Sequence, residues 1–193
     1  MSPGRLLPAV ALALLLSVAN ARTPWHTSAS GGFEVRTAAS ADAAWLPEAF
    51  RILTAGAARV SDDPELGLCN APLVVIHPEL GSFEATTGMP WFILAVANRS
   101  ECRIDTQRVA ILEQHGGLRR TLLHELHHLA QPEDWERWRA EGRAQAFAGE
   151  RPAAAPLHAI TPAQLNALLA APTGSEDHLR ALATALNWVL DGR

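Results

Sequence analysis

The residues best suited to chemistry in this chain belong to one short motif, His124-Glu125-Leu126-His127-His128, which contains the pattern H-E-x-x-H. On a helix, residues four apart lie one turn above each other on the same face, so His124 and His128 can hold one metal ion. Glu125 is offset by about 100° on such a helix and lies beside the metal. There it can take a proton from metal-bound water. The motif therefore predicts a hydrolytic metal site.

A catalytic zinc needs a third protein ligand, with its fourth position left to water. A third histidine in the extended pattern H-E-x-x-H-x-x-G-x-x-H is excluded, because Pro132 follows His128 too soon. Glu141 lies 13 residues beyond His128, within the reach of a helix–turn–helix, and we predict it as the third ligand. We expect Gly142 beside it to let the two helix backbones approach closely. The other candidates for the third ligand are Glu133, Asp134, Glu136, Glu150 and His158.

Two helices must position these groups. The first follows Gly116-Gly117 and carries a leucine stripe that should anchor it in the core. Pro132 ends this helix and is expected to open a second one, with Trp135 and Trp138 packed behind the site. His127 points to another side of the helix. We expect it to contact a metal-ligating residue or to lie on the surface rather than to bind the metal itself. The alternative is a solvated helix face with Glu125 paired to an arginine. The predicted stripe is Leu118, Leu122, Leu126 and Leu129.

The rest of the chain indicates a β-rich half followed by an α-rich half. Short runs rich in β-branched residues and bounded by Pro or Gly predict strands, and apolar residues at helical spacing predict helices. The α+β class follows, in a single domain over residues 22–193. The predicted strands are 33–36, 73–76, 91–96 and 108–112. The predicted helices, besides the two above, are 42–60, one opening at Thr161-Pro162, and one capped near Ser175 and ending at Leu190.

Composition limits the classes of function. The chain has 193 residues and a net charge of −4, whereas nucleic-acid binders are usually basic. It contains no lysine and no tyrosine, and the arginine-only basic set suggests a GC-rich bacterial genome. We therefore expect no nucleic-acid partner.

The first 21 residues predict a cleaved secretory signal peptide. Arg5 precedes an apolar run at 6–18, and Ala19-Asn20-Ala21 forms an A-x-A cleavage site. An uncleaved anchor is the alternative; no later run is long enough to span a membrane. We expect a periplasmic or extracellular protein, in which a Cys69–Cys102 disulfide is favoured over two free thiols.

The segment 122–128, followed by Trp138-Arg139-Ala140-Glu141-Gly142-Arg143-Ala144, resembles the gluzincin metallopeptidases, most closely the bacterial peptidase-MA-like group. That group has H-E-x-x-H followed by W-x-x-E-G-x-A. The resemblance implies a zincin-like fold, in which a small twisted sheet packs on the active-site helix and the C-terminal part is helical. It implies peptide-bond hydrolysis by Zn²⁺ on His124, His128 and Glu141, with Glu125 as general base. The strand at 108–112 would then border the cleft and pair with an extended peptide or protein substrate.

The chain departs from that family in having no tyrosine. Gluzincins commonly use a Tyr or His from a later helix to stabilise the oxyanion. His178, Arg143 and His158 are the candidate replacements, of which we select His178. The alternative function is a non-catalytic exported module, with a structural or degenerate zinc site, that binds a peptide or an envelope partner. The intact Glu125 argues against this alternative, because a structural site needs no base.

Overall fold

The computed structural model describes residues 24–152 and 154–193, so the predicted signal peptide at 1–21 lies outside the described residues. Strands and helices both contribute, which confirms the predicted α+β class. The strands are β1 (His26–Ser30), β2 (Phe33–Thr37), β3 (Leu73–Ile76), β4 (Ala95–Asn98) and β5 (Arg103–Thr106). The helices are α1 (Ser40–Ala43), α2 (Leu46–Ser61), α3 (Leu80–Thr87), α4 (Val109–Gln114), α5 (Leu118–Ala130), α6 (Arg137–Ala148), α7 (Pro162–Ala170) and α8 (Ser175–Leu190).

The five strands form one mixed sheet in the order β1-β2-β3-β5-β4. The three central strands run parallel, and the two outer strands pair antiparallel to their neighbours. Val35, Val74 and Ile104 are fully buried on these central strands, where β-branched side chains pack well. The strands predicted at 33–36 and 73–76 are confirmed.

Helix α5 carries the H-E-x-x-H motif and is anchored through its leucines. The predicted stripe is confirmed, since Leu118, Leu122, Leu126 and Leu129 are each no more than 1% exposed. They belong to the core cluster that α2, α5 and the sheet share. Burial of each leucine contributes about 1.5–3 kcal/mol, which fixes the rotation of α5 about its axis. Gly117, with φ 94°, makes the left-handed turn from which the helix begins.

The strand predicted at 108–112 is wrong, because this segment forms α4. A buried carboxylate 67 positions away in the sequence holds the start of that helix: Asp42 Oδ1 accepts from the Val109 N–H at 3.2 Å. The other oxygen of Asp42 lies 3.2 Å from Arg108 Nε. Val109 and Leu112, three residues apart, are buried together, as helical spacing requires. A long-range cap thus overrides the strand propensity of the local sequence.

Two other predicted elements have different bounds. The helix predicted at 42–60 divides into α1 and α2, because Pro47 in the first turn of α2 has no N–H to continue the hydrogen bonds of a helix from α1. The strand predicted at 91–96 begins only at Ala95. Residues 91–94 form a loop after Pro90, and the Gln107 amide donates to the carbonyls of Trp91 and Ile93 at 2.8 Å.

A second buried cluster joins α6, α7 and α8 around Trp138 and Trp188. The two predicted C-terminal helices are confirmed, and Thr161 forms a capping box at the start of α7. Helix α6 begins at Arg137 rather than at Pro132. In the described residues, none of the helices is both long enough and apolar enough to cross a membrane.

The predicted disulfide between Cys69 and Cys102 is confirmed. It links the loop before β3 to the turn between β4 and β5, with a Cα–Cα distance of 5.9 Å. A disulfide of this kind is typical of proteins that fold in an oxidising compartment. The bond is therefore compatible with the predicted export.

Candidate metal centre

Three side chains from two helices converge on one point. His124 and His128 lie on successive turns of α5, and Glu141 lies on α6. Glu141 Oε2 is 3.4 Å from His124 Nε2 and 3.3 Å from His128 Nε2, and the two histidine nitrogens are 2.9 Å apart. The side chains are only 12–15% exposed. The three residues predicted as ligands therefore lie together and could hold a metal ion.

The spacing of these three atoms suits a small tetrahedral cation. Ligand atoms bound at 2.0–2.1 Å to a tetrahedral zinc lie about 3.3–3.4 Å from one another. The two distances to Glu141 match that value, and the distance between the histidine nitrogens is a few tenths of an ångström shorter. Two imidazoles and one carboxylate are also a donor set that zinc accepts. The residues therefore fit the ion that the sequence predicts.

Glu150 orients His124 from the opposite side of the ring. Its Oε1 lies 2.7 Å from His124 Nδ1. A carboxylate there keeps a proton on Nδ1, so that in the neutral imidazole Nε2 keeps its lone pair for a metal. Glu150 was among the candidates for the third ligand; the structure instead pairs it with the nitrogen that faces away from the site.

The electrostatics of the cluster favour a cation. Burial lowers the pKa of His124, but hydrogen bonds with Glu141 and Glu150 outweigh burial and hold that pKa well above its ordinary value. Burial likewise raises the pKa of Glu141, but the charges of His128 and His124 and their hydrogen bonds hold it well below the ordinary value. The cluster therefore retains a proton where a metal ion would bind, and a metal must displace that proton.

Glu125 lies beside the cluster and is not one of its three converging residues. Its side chain is buried at 8% exposure and lines the same cleft as the histidines. Burial raises the pKa of Glu125, while the positive charges of His124 and His128 oppose that rise. A carboxylate with a raised pKa accepts a proton more readily, as a general base requires.

A cleft of about 630 Å³ opens over the cluster. One wall is the edge strand β4, whose residues Ala95, Val96 and Ala97 line the cleft beside α5. Among residues 24–152 and 154–193, β4 pairs only with β5, so its outer edge is open to another strand. The strand next to the cleft is therefore β4, and not the segment 108–112 that the sequence predicted.

Of the three candidate oxyanion donors, only His178 lines the cleft. It lies in the first turn of α8 and contacts the Phe92 ring, with ring centroids 6.1 Å apart. Its Nδ1 is buried without a hydrogen-bond partner among the described residues. Burial lowers the pKa of His178, and Arg137 and His124 lower it further against the opposing effect of Glu141. Arg143 instead pairs with Asp63 at 3.0 Å.

Other residues singled out in the sequence lie away from the three ligand atoms. His127 is buried against Trp135 and Phe147, so its predicted surface alternative is wrong. Burial and the nearby charges of His128 and His124 lower the pKa of His127 to about 3. Trp138, on α6, packs against α7 and α8 away from the cleft, which agrees with its predicted place behind the site. The remaining candidate ligands lie outside the converging group, and they are Glu133, Asp134, Glu136 and His158.

Trp135 and Gly142 differ from their predicted places. Trp135 lies at the rim of the cleft, beneath the Arg139 and Arg143 guanidinium groups, and not behind the site. Gly142 does permit a close approach, but of α6 to α8: a Cβ there would lie 2.4 Å from the Ala185 carbonyl oxygen. Gly142 therefore allows α6 to pack directly on α8, because any larger residue would push the two backbones apart.

Sequence reasoning missed the orienting role of Glu150. A local signal for it exists, since Gly149 ends α6 with φ 71° and the Glu150 N–H bonds back to the Gln145 carbonyl at 2.9 Å. A glycine of this kind typically follows the last turn of a helix and reverses the chain. The dipeptide Gly149-Glu150 could therefore have been interpreted as a carboxylate returned toward the preceding helix.

No protein-family model matches the chain, and no curated protein matches it significantly. Function has to be inferred from the site itself.

Proposed function

We propose that this protein is an exported zinc-dependent metallopeptidase of the gluzincin type, with a zincin-like fold. The observation that carries the proposal is the convergence of His124, His128 and Glu141 in an open cleft with the buried Glu125 beside them. A structural zinc site is normally closed by four protein ligands, whereas a catalytic one keeps a position for water. Three converging ligand atoms and an adjacent carboxylate fit the catalytic arrangement.

Each residue has a distinct role in the proposed reaction. His124, His128 and Glu141 would hold Zn²⁺, which when bound polarises a substrate carbonyl and lowers the pKa of water toward about 7. Glu125 accepts a proton from the attacking water and then donates it to the leaving amine. Glu150 keeps the His124 ring in its orientation through the 2.7 Å contact with Nδ1.

The peptide would lie along β4. An extended chain can pair with the open edge of that strand, which brings a backbone carbonyl next to α5. The cleft is about 630 Å³, enough to hold several residues of an extended peptide. The side-chain positions along the edge then alternate between the cleft and the solvent.

His178 is the proposed donor to the developing oxyanion. Its pKa is lowered, so it is a neutral imidazole that carries one N–H at neutral pH. It lines the same cleft as Glu125, at the start of α8. A positioned donor to a tetrahedral oxyanion contributes roughly 10²–10³ in kcat.

The test is hydrolysis of a mixture of internally quenched peptides by the mature chain and by Glu125→Gln. We expect kcat to fall by about 10²–10⁴ in the variant, the usual contribution of a general base, with its zinc content unchanged. Glu133→Gln is the matched control, because Glu133 lines the cleft outside the ligand group. Undiminished hydrolysis by Glu125→Gln would overturn the assignment of the base.

The second candidate is a non-catalytic zinc module that binds a peptide on β4. The absence of tyrosine from the chain favours it, because a common oxyanion donor of gluzincins is missing. A hydroxamate, which binds a zinc with an open position, separates the two functions. Zinc-dependent hydroxamate binding without hydrolysis of any peptide would favour the module.

A further inference from the structure

An arginine with an unsatisfied buried nitrogen lines the cleft. Arg99 directly follows β4, and its Nη1 atom is buried without a hydrogen-bond partner among the described residues. A buried donor left unpaired loses its hydrogen bonds to water without replacement, which destabilises the fold, and more so when the group is charged. Native structures therefore leave few such atoms unless a ligand or water satisfies them. The Arg99 guanidinium points to an acceptor that enters the cleft.

The chain connections place Arg99 at the C-terminal end of α5. Its carbonyl accepts from the Cys102 N–H at 3.1 Å, and Cys102 is bonded to Cys69. Two residues before Cys69, the Gly67 N–H donates to the carbonyl of Ala130, the last residue of α5, at 2.8 Å. The N-terminal end of β4 lies at the other end of the cleft. There the Gln107 N–H donates to the carbonyl of Leu94, the residue before the strand.

A second unsatisfied group lies at the same end. Gln131 follows α5 directly and lines the cleft, and its Oε1 is buried without a donor among the described residues. Arg99 therefore lacks an acceptor while Gln131 lacks a donor. A peptide supplies both groups, since it carries backbone N–H donors and carboxylates.

The remaining charges of the cleft are mostly basic. Arg120 and Arg151 also line it, and within the described ranges neither they nor Arg99 forms an ion pair with a carboxylate. Apart from the carboxylates at the metal cluster, Glu133 is the one acidic residue among the described residues of the lining. The fourth arginine of the described lining, Arg137, pairs with Glu141, so the lining as a whole balances four arginines against four glutamates. The three unpaired arginines can therefore attract an anionic ligand locally, in a chain with a net charge of −4.

We propose that Arg99 binds a carboxylate of the peptide substrate, so that the enzyme prefers acidic peptides; this inference rests on the peptidase function proposed above. Arginine matches a carboxylate through two parallel N–H donors, which gives specificity as well as affinity. Gln131 accepts a backbone N–H of the same peptide. Arg120 and Arg151 attract the acidic peptide into the cleft through the field of their charges.

The direction of the peptide decides which carboxylate Arg99 meets. A peptide antiparallel to β4 has its N-terminal part beside Arg99, so the carboxylate is an Asp or Glu side chain upstream of the cleaved bond. A peptide parallel to β4 has its C-terminal part there, so the chain's own terminal carboxylate can also reach Arg99. Both sources share the same chemistry, and matched peptides distinguish them.

The test measures equilibrium binding of dye-labelled octapeptides by fluorescence anisotropy. A neutral parent peptide ending in an amide is compared with peptides that have a single Glu for Gln at each position, and with the free-acid parent. The protein is the zinc-loaded mature chain carrying Glu125→Gln, which prevents turnover. Arg99→Gln and Arg99→Lys are added to it, and Arg180→Gln is the matched control because Arg180 lies outside the lining of the cleft.

We expect one carboxylate position to raise affinity about tenfold to a hundredfold, the usual range for a hydrogen bond to a charged group. Arg99→Gln should abolish that preference, Arg99→Lys should keep part of it, and Arg180→Gln should keep all of it. A preference for a Glu upstream of the bond that the wild-type chain cleaves assigns the antiparallel direction. A preference for the free acid, or for a Glu downstream of that bond, assigns the parallel one.

Equal affinity for all peptides, no binding at all, or an unchanged preference in Arg99→Gln would overturn the inference. Hydrolysis by the wild-type chain is measured on the same peptides. An Arg99-dependent preference without hydrolysis would overturn the peptidase function and leave the carboxylate site standing. Hydrolysis without any preference for a carboxylate would support the peptidase function and overturn the carboxylate site.

Discussion

Two clusters of histidine and carboxylate occupy different regions of this molecule, and only one of them opens to a cleft. The cleft cluster is His124, His128, Glu141 and Glu150. The sheet cluster is His77, Asp105, Ser82 and Arg103, at the ends of β3 and β5. Both clusters place an imidazole 2.7 Å from a carboxylate oxygen. Their residue types alone do not distinguish them.

The sheet cluster is closed. His77 Nε2 lies 2.7 Å from Asp105 and its Nδ1 lies 3.3 Å from the Ser82 hydroxyl, so both ring nitrogens have a partner. Arg103 donates to the same Asp105 oxygen at 2.6 Å. The Ser82 hydroxyl donates to the Glu79 carbonyl at 2.8 Å, and none of these residues lines the cleft. Serine, histidine and aspartate therefore form a polar network in which both imidazole nitrogens are paired, and it stabilises the sheet. Arg103 Nε is buried beside it without a partner among the described residues, but the cleft does not reach this cluster.

The cleft cluster is arranged differently, because three ligand atoms share one point instead of pairing one to one. His124 Nε2, His128 Nε2 and Glu141 Oε2 lie within 3.4 Å of one another. Such a group satisfies its lone pairs best with a cation. The difference teaches that convergence on a common centre, and not merely the presence of histidine and acid, marks the candidate metal site.

The largest expected effect comes from removing a ligand. His128→Ala should weaken zinc binding by more than the roughly tenfold to hundredfold lost when a residue that only orients a ligand is removed. A competition titration against a chromophoric chelator measures this affinity. His115→Ala is the control, because His115 lines the cleft outside the cluster. Wild-type affinity in His128→Ala would remove the distinction between the two clusters.

The same change in the sheet cluster should affect folding instead. His77→Ala removes a partner of the buried Asp105 carboxylate and should lower the free energy of unfolding by about 3 kcal/mol. Urea denaturation measures this loss, while zinc stoichiometry should stay unchanged. The exposed His26 provides the control, since His26→Ala should leave stability within about 0.5 kcal/mol. Loss of zinc in folded His77→Ala would show that the two clusters are coupled.

A smaller effect is expected from the residue that orients His124. Glu150→Ala should lower zinc affinity by about tenfold to a hundredfold, because His124 loses the acceptor that keeps its proton on Nδ1. The chelator titration used for His128→Ala resolves this difference, with Glu133→Ala as the matched acidic control. An affinity as low as that of His128→Ala would make Glu150 a ligand.

The smallest effect concerns acid stability. Burial raises the pKa of Asp105, but hydrogen bonds with His77 and Arg103 outweigh burial and lower the pKa below the ordinary 3.8. The ionised carboxylate therefore stabilises the fold fully above about pH 4, and this stabilisation is lost as the pH falls through the folded-state pKa. Denaturation of wild type and Asp105→Asn should differ by a constant free energy between pH 5 and 7 and converge below pH 3.8. If the two free energies of unfolding already converge above pH 3.8, the pKa of Asp105 is not lowered in the folded state.

The sequence predicted those parts of the molecule that depend on local spacing. His124 and His128 are four residues apart on one helix, and the leucines of that helix recur at helical spacing. Both features could therefore be predicted without knowing the fold. The parallel strands with runs such as 73–76 were found for the same reason. These features depend on residues that are neighbours in the chain.

The parts that sequence reasoning did not predict depend on distant contacts. Asp42 caps α4, so the segment 108–112 is a helix despite its β-branched residues. The position of β4 beside α5 follows from the order of strands in the sheet, which no local pattern contains. The unsatisfied Nη1 of Arg99 depends on burial by the folded chain. Long-range packing decides each of these features.

The central claim is that His124, His128 and Glu141 hold one catalytic zinc ion. The most direct measurement is the zinc content, by plasma mass spectrometry, of the metal-replete mature chain beside Glu141→Gln. We predict one zinc per wild-type chain and a sharply reduced content in the variant, with both proteins folded. A folded wild-type chain without zinc, or a Glu141→Gln variant that keeps a full equivalent, would contradict the claim.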